Sequence, residues 1–331
     1  MKRLTKLKIG VVAIAGLSGI GAGYLVPRIQ LSQKGYEKQE IQAIMDVDKE
    51  QRELFFETEK IDDVMTWLSL SPNIERYQDY VDYQSLHTDM DSEEVKTTVD
   101  LILENPNIFI FTSPDTKKSF YAKVKQDKIE DYIEDTNANE LMSNPTDIEL
   151  LVTNKAHFSM SYVPSDLEKC AISSSEDNEP LQYLRQEANE ALKAMADDAR
   201  EEGYILLNNS SYRSYFDQED IYDYYLGEYG QAYCDMYVGD PGYSEHQSGL
   251  AIDLSSESVQ DGTYFVFGDS PDYDWVVAHC VDYGFILRYP EDKTEITNVA
   301  NEPWHFRYVG KKAAEIMKEN NWALEEYKAM N

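Results

Sequence analysis

The sequence predicts an α+β fold in its C-terminal half, with helices and a central antiparallel sheet in separate stretches of the chain. Three observations carry this expectation. Short apolar runs at Ile205 to Leu207, Leu250 to Leu254 and Phe285 to Tyr289 read as strands. Longer stretches with helical spacing separate them, one with Leu181, Leu184, Ala188, Leu192, Met195 and Ala199 on a single stripe. Ahead of all of these, the chain is polar and helical in pattern, with no chemical motif.

Taken in order, Lys2, Arg3, Lys6 and Lys8 mark residues 1–8 as a positively charged tail. Residues 9–26 form an uncharged, largely apolar run that would be about 27 Å long as a helix, nearly the thickness of a hydrocarbon core. The charge asymmetry predicts a cytoplasmic tail, a single-pass anchor and a catalytic part outside the cytoplasm. A cleaved signal sequence is the competing reading; the lack of a small-x-small site before Pro27 favours the anchor.

Residues 27–146 are expected to form a helical stalk or accessory module. Ile61, Val64, Met65 and Leu68 have helical spacing, and Ser71-Pro72 opens a helix carrying Ile74 and Tyr77. Asp91-Ser92 caps a third, with Val95, Val99 and Ile102 on one side. The acidic stretch from Ile129 to Pro145 reads as a linker, which sets a catalytic domain at 147–331.

Within that domain Leu150 to Val152 is a strand candidate, Ser173 to Glu179 a polar loop, and Pro180 the start of the striped helix. The strand Ile205 to Leu207 leads to Arg213. Tyrosines from Tyr215 to Tyr237 crowd a helical region, where packing is expected ahead of a ligand-contacting rim. A helix begun by Ser270-Pro271 and stopped by Gly284 follows, then the strand from Phe285 and a closing helix from Lys311.

Composition bounds the function. A chain of 331 residues holds a tail, one modest accessory module and one catalytic domain with an ample core. A formal net charge of −32 excludes nucleic acid and anionic membrane surfaces, which demand basic patches. Cys170, Cys234 and Cys280 lack metal-site spacing and are odd in number, so at most one disulfide is expected.

Chemistry concentrates in two motifs, Ser244-Glu-His-Gln-Ser-Gly-Leu-Ala-Ile-Asp253 and Glu302-Pro-Trp-His305. Within them His246, Asp253, Glu302 and His305 offer two imidazoles and two carboxylates, enough for three metal ligands and one spare carboxylate. Such a set leaves zinc a fourth position for water, whose pKa falls to about 7. Along the run from Leu250, alternation puts Leu250, Ile252 and Leu254 on one face and Ala251 and Asp253 on the other, so Asp253 leaves the core toward the site. Pro303 rules out a helix interior and predicts an extended segment with a bend. Among the other histidines, His279 reads as helix packing one turn beyond Trp275, and His87 and His157 as surface residues.

At these motifs the chain resembles the zinc D-alanyl-D-alanine carboxypeptidases of the VanY type, in the wider group that includes lysostaphin-like peptidases and the hedgehog signalling domain. Tyr162 to Leu167, Ser211 to Gln218, Tyr243 to Asp253, Tyr283 to Pro290 and Glu302 to Gly310 match in family order. The resemblance implies a hedgehog/DD-peptidase-like zinc peptidase fold with one Zn2+ held by His246, Asp253 and His305. It makes Glu302 the general base and Arg213 the group that steadies the substrate carbonyl or terminal carboxylate. Gln218, Ser244 and Trp304 are secondary substrate-binding candidates. The implied partners are peptidoglycan stem peptides ending in D-alanine; neither nucleic acid nor an obligate protein partner is expected. LD-carboxypeptidase action on tetrapeptide stems and a non-catalytic zinc-bearing wall-binding or signalling domain are the alternatives. Asn298-Val-Ala-Asn301 departs from the family's usual Gly-x-x-Tyr beside the base, which leaves the fine substrate preference open.

Overall fold

The computed structural model describes residues 19–330 apart from 71–73, 139, 154–155 and 176–181. The chain divides into two compact units, Met1–Val99 and Asp100–Asn331. In the first, the helices Gly19–Gln33, Lys38–Asp46, Lys49–Glu57, Val64–Leu70 and Tyr77–Leu86 surround buried Leu31, Ile44, Phe55, Trp67, Tyr77 and Tyr80. Aromatic rings do much of that packing, with Phe55 edge-on to Tyr77 at 6.0 Å and Trp67 stacked on Tyr80 at 5.2 Å. Asp91 caps the helix Ser92–Glu104, its carboxylate accepting from the Glu93 and Glu94 amides at 2.9 Å.

The single-pass anchor expected at 9–26 is corrected. Among the described residues no helix is long and apolar enough to cross a membrane. Residues 9–18 lie outside the described part, and the helix beginning at Gly19 runs on past Val26 through Pro27 and Arg28 to Gln33. That helix carries Pro27 and Arg28, and its Leu31 is fully buried in protein.

In the second unit the helices Pro114–Lys123 and Gln126–Ala138 precede the sheet. The latter corrects the linker expected from Ile129. Ile129 and Tyr132, three apart, are both buried, and the Tyr132 hydroxyl donates to the Phe158 carbonyl at 3.1 Å and accepts from the Met160 amide at 3.0 Å. Acidic residues occupy the outer face of an amphipathic helix there.

Two small ladders follow: β1 (Glu140–Leu141) parallel to β2 (Ala156–His157), and β3 (Leu167–Lys169) antiparallel to β4 (Tyr183–Arg185). The main sheet contains β5 (Leu206–Ser210), β6 (Ala251–Ser256), β7 (Phe285–Leu287) and β8 (His305–Tyr308) in the order β5-β6-β8-β7, every pairing antiparallel. Ile252, Leu254, Phe285 and Phe306 are essentially without solvent access, in one core with Ala188, Leu192, Met195 and Ala199 of the helix Gln186–Glu201. The α+β expectation holds.

Local differences have local causes. The striped helix starts at Gln186, not Pro180, because Leu184 is drawn into β4 opposite Glu168; Leu181 lies outside the described residues. Leu150 to Val152 is not a strand: the buried Arg307 guanidinium donates to the Ile148 and Leu150 carbonyls at 3.1 and 3.0 Å, partners a sheet neighbour would otherwise supply. His87 and His157 are buried rather than surface residues. His87 stacks on Tyr83 at 4.3 Å, and His157 packs against Tyr132 and Tyr243. His279 does pack on its helix, its Nδ1 donating to the Trp275 carbonyl at 2.7 Å and its ring stacking on the Trp275 ring at 4.4 Å. All three cysteines are free and buried.

Because Ile252 fills the centre of this core from β6, Ile252→Ala is expected to cost about 2–5 kcal/mol through lost burial and a residual cavity. Chemical denaturation checks this; a loss well under 1 kcal/mol would mean that the sheet is not packed as described.

Candidate metal centre

The two motifs converge because two strands pair. Asp253 of β6 lies directly opposite His305, the first residue of β8, so the ladder itself sets their side chains side by side. Ile252 and Leu254 face the core, and Asp253 takes the other face, as alternation requires.

His246 arrives from the short 3-10 turn Glu245–Ser248, its own amide donating to the Ser244 hydroxyl at 3.4 Å. Gly249 ends that turn at φ 69°, where a Cβ would lie 2.9 Å from Arg185 Cγ and Leu167 Cδ2. No other residue fits this left-handed, crowded position. Glu302 and His305 reach one site through an i to i+3 turn. The His305 amide donates to the Glu302 carbonyl at 3.1 Å, and the Glu302 amide to the Tyr289 carbonyl at 3.0 Å. Pro303 leans on Gly268, where a Cβ would come within 2.7 Å of its ring.

One donor atom each from His246, Asp253 and His305 lies within 4.8 Å of the others. His246 Nδ1 donates to the Ser211 carbonyl at 2.6 Å, which leaves its Nε2 lone pair 3.3 Å from Asp253 Oδ2 and without a hydrogen-bond partner. His305 turns Nδ1 toward Asp253 at 3.0 Å and toward Glu302 at 3.6 Å. The two imidazoles meet edge to face at 4.9 Å.

Electrostatics fit a cation. Burial, then Arg213, pulls His246 down to about 4, so it is neutral and able to ligate. Burial would lower His305 too, but Asp253, Glu245 and Glu302 outweigh it and lift the ring to about 9. A divalent ion held by these residues would balance the same carboxylates and displace that proton. Asp253 is held well below the ordinary carboxylate range despite burial, chiefly by His246. Glu302 goes the opposite way: burial pushes its carboxyl up to about 7, with Asp253 adding to the push and His305 and Arg213 opposing it. It is a carboxylate near its proton-transfer point at neutral pH.

Arg213 is partly buried, its Nε enclosed and unpartnered, and it lines the same cleft of about 610 Å³. Gln218, Ser244 and Trp304 line it as well. Gln218 spends its amide nitrogen on the Gly239 carbonyl at 2.6 Å, leaving Oε1 buried and unpartnered. Trp304 is 37 % exposed, a wall of the cleft rather than core. In the helices Tyr215–Tyr229 and Gln231–Tyr237, Tyr225, Tyr229, Tyr233 and Tyr237 form a stacked row with centroids 4.8–5.9 Å apart. Tyr229 and Tyr237 are exposed, and Tyr225, Tyr233 and Tyr237 line the cleft.

Sequence reasoning assigned no role to Glu245, Arg288 or Arg307. Glu245 Oε1 accepts a hydrogen bond from Arg288 Nε at 3.0 Å and forms an ion pair with Arg307 Nη1 at 3.0 Å, and all three residues are buried. The available signal was two arginines set in otherwise apolar strand segments, since a charge in a core strand requires a buried partner.

Comparison with known proteins is consistent with this geometry. Residues 181–311 match the family model for VanY, D-alanyl-D-alanine carboxypeptidase. YodJ of Bacillus subtilis (strain 168), a protein named as a carboxypeptidase, is 43 % identical over 189 residues, 57 % of this chain and 69 % of its own. VanXYC of Enterococcus gallinarum, a bifunctional D-Ala-D-Ala dipeptidase and D-Ala-D-Ala carboxypeptidase, is 46 % identical over 118 residues, 35 % of this chain and 62 % of its own. The structure of the LdcB LD-carboxypeptidase superimposes with a TM-score of 0.54 at 42 % identity, covering 58 % of this chain and 91 % of that one.

His305→Ala and Asp253→Ala are each expected to lose stoichiometric zinc, whereas Glu302→Gln retains it, because the first two remove a donor of the three-atom set. Elemental analysis after dialysis checks this. Equal metal content in all three proteins would disqualify the site.

Proposed function

The chain belongs to the VanY family of D-alanyl-D-alanine carboxypeptidases, which are peptide hydrolases, and we propose on that premise that it removes C-terminal D-alanine from peptidoglycan stem peptides. One observation carries the reading: a buried carboxyl lifted to about 7, Glu302, stands 3.6 Å from a ligand histidine with a partly buried guanidinium in the same cleft. His246, Asp253 and His305 are the residues that would hold one zinc ion. When bound, zinc supplies a Lewis acid that polarises the scissile carbonyl and makes water acidic.

The rest belongs to the protein. Glu302 takes a proton from the water as its oxygen bonds the carbonyl carbon, then hands that proton to the amine of the departing D-alanine as the C–N bond breaks. Arg213 offers paired N–H donors to the planar terminal carboxylate, and its fixed charge favours the negative charge that grows on the carbonyl oxygen. Trp304 and Tyr289 wall the cleft. This geometry argues against an idle wall-binding domain, which needs neither a base poised near neutrality nor a partly buried arginine beside it.

Removal of the last residue of D-Ala-D-Ala is the first reading. Trimming of tetrapeptide stems is the second, favoured by the likeness to the LD-carboxypeptidase structure. Zinc-loaded full chain incubated with a pentapeptide ending in D-Ala-D-Ala and a tetrapeptide ending in one D-alanine, followed by mass spectrometry, separates the two. Loss of one alanine from the pentapeptide supports the first, loss only from the tetrapeptide the second; two intact peptides reject the function. Glu302→Gln is expected to lower kcat by about 10²-fold or more, and near-normal turnover of that variant would remove Glu302 from its role.

A further inference from the structure

Glu245 touches none of the metal donors on the metal's side, yet it reaches the far side of one of them. Its Oε2 lies 3.7 Å from His305 Nε2, while Nδ1 of the same ring faces Asp253. Among the described residues neither Glu245 Oε2 nor His305 Nε2 has a hydrogen-bond partner, both atoms are buried, and each is the polar atom that faces the other. Oε1 is already engaged by Arg288 and Arg307 at 3.0 Å. Arg288 is clamped in turn by Glu325 of the C-terminal helix Leu324–Met330, at 3.0 and 2.6 Å. The carboxylate is therefore bolted on one edge and free on the edge that faces the imidazole.

We propose that Glu245 is a positioning residue for the metal centre: it accepts the Nε2 proton of His305 and so presents Nδ1 as the metal-binding nitrogen. The inference rests on the zinc reading above and adds to it. A neutral imidazole can ligate through one nitrogen only if the other carries the proton, and a buried acceptor opposite that proton decides which nitrogen is which. His246 is held by the same logic with the nitrogens exchanged, its Nδ1 proton engaged by the Ser211 carbonyl. The two ligand histidines thus bind as opposite tautomers, one steered by a backbone carbonyl and the other by a carboxylate whose place is set by two arginines. Burying that Glu–Arg cluster is costly, and an orienting role gives it a use beyond packing.

Long-range proton–nitrogen spectra of zinc-loaded full chain carrying 15N-histidine test this directly, since only five histidines must be assigned. His305 is expected to be protonated at Nε2 and His246 at Nδ1. Competition with a chromophoric chelator gives the second readout: Glu245→Ala should weaken zinc binding about 10–100-fold, and Glu245→Gln, which keeps an acceptor oxygen, should recover most of it. A proton on His305 Nδ1 in the zinc form, or an alanine variant that binds zinc as the wild type does, overturns the proposal. If the alanine variant fails to fold, the wild-type tautomer decides alone. A wild type that binds no zinc overturns the metal reading itself, an outcome distinct from a wrong tautomer.

Discussion

The site depends on a single cross-strand pair. Asp253 and His305 are neighbours because β6 and β8 run antiparallel in a register that sets them opposite each other. A slip of one residue would turn Asp253 into the core and Ile252 into the cleft, so the apolar packing of Ile252, Leu254 and Phe306 also enforces the placement of the metal donors. Core and chemistry share one constraint.

Around that pair the protein gathers charge that water would otherwise stabilise. Asp253, Glu302, Glu245, Arg213, Arg288 and Arg307 are all largely removed from solvent. Burial alone would push Glu245 up, but Arg288 and Arg307 hold it well below the usual carboxylate range. At Glu302 burial outweighs the opposing pull of His305 and Arg213, and its carboxyl rises. Two glutamates in one small region are therefore driven apart, one a permanent anion and the other a group able to exchange a proton near neutrality. Replacing either arginine would leave an uncompensated buried charge, which makes these positions as demanding as the donors themselves.

Much of this was legible in the letters, and the residues show why. Alternation in Leu250 to Leu254 is a local pattern with a local cause, and it correctly sent Asp253 away from the core. Ser270-Pro271 and Gly284 punctuate their helix as turn chemistry dictates. The failures are of another kind. Leu150 to Val152 has the composition of a strand, but Arg307, more than a hundred residues away in sequence, takes the Leu150 carbonyl together with that of Ile148. Ile129 and Tyr132 sit in an acidic stretch that resembles a linker until Phe158 and Met160 are brought to the Tyr132 hydroxyl. His157 looks ordinary in sequence and is enclosed by Tyr132 and Tyr243, while the apolar run before Val26 gives way to a helix that carries Arg28 and buries Leu31.

The sequence by itself determined the inventory: His246, Asp253, Glu302 and His305 in two motifs, Arg213 after a strand, and strands and helices whose periods match their residues. Those are properties of residue type and short spacing, and chain-local physics suffices to read them. Only the tertiary structure decided which nitrogen of each histidine faces the site, which glutamate keeps its charge, and that Glu245 stands behind His305. Such matters are settled by burial and by partners distant along the chain, because the strength and even the sign of an electrostatic effect depend on what surrounds the group in space.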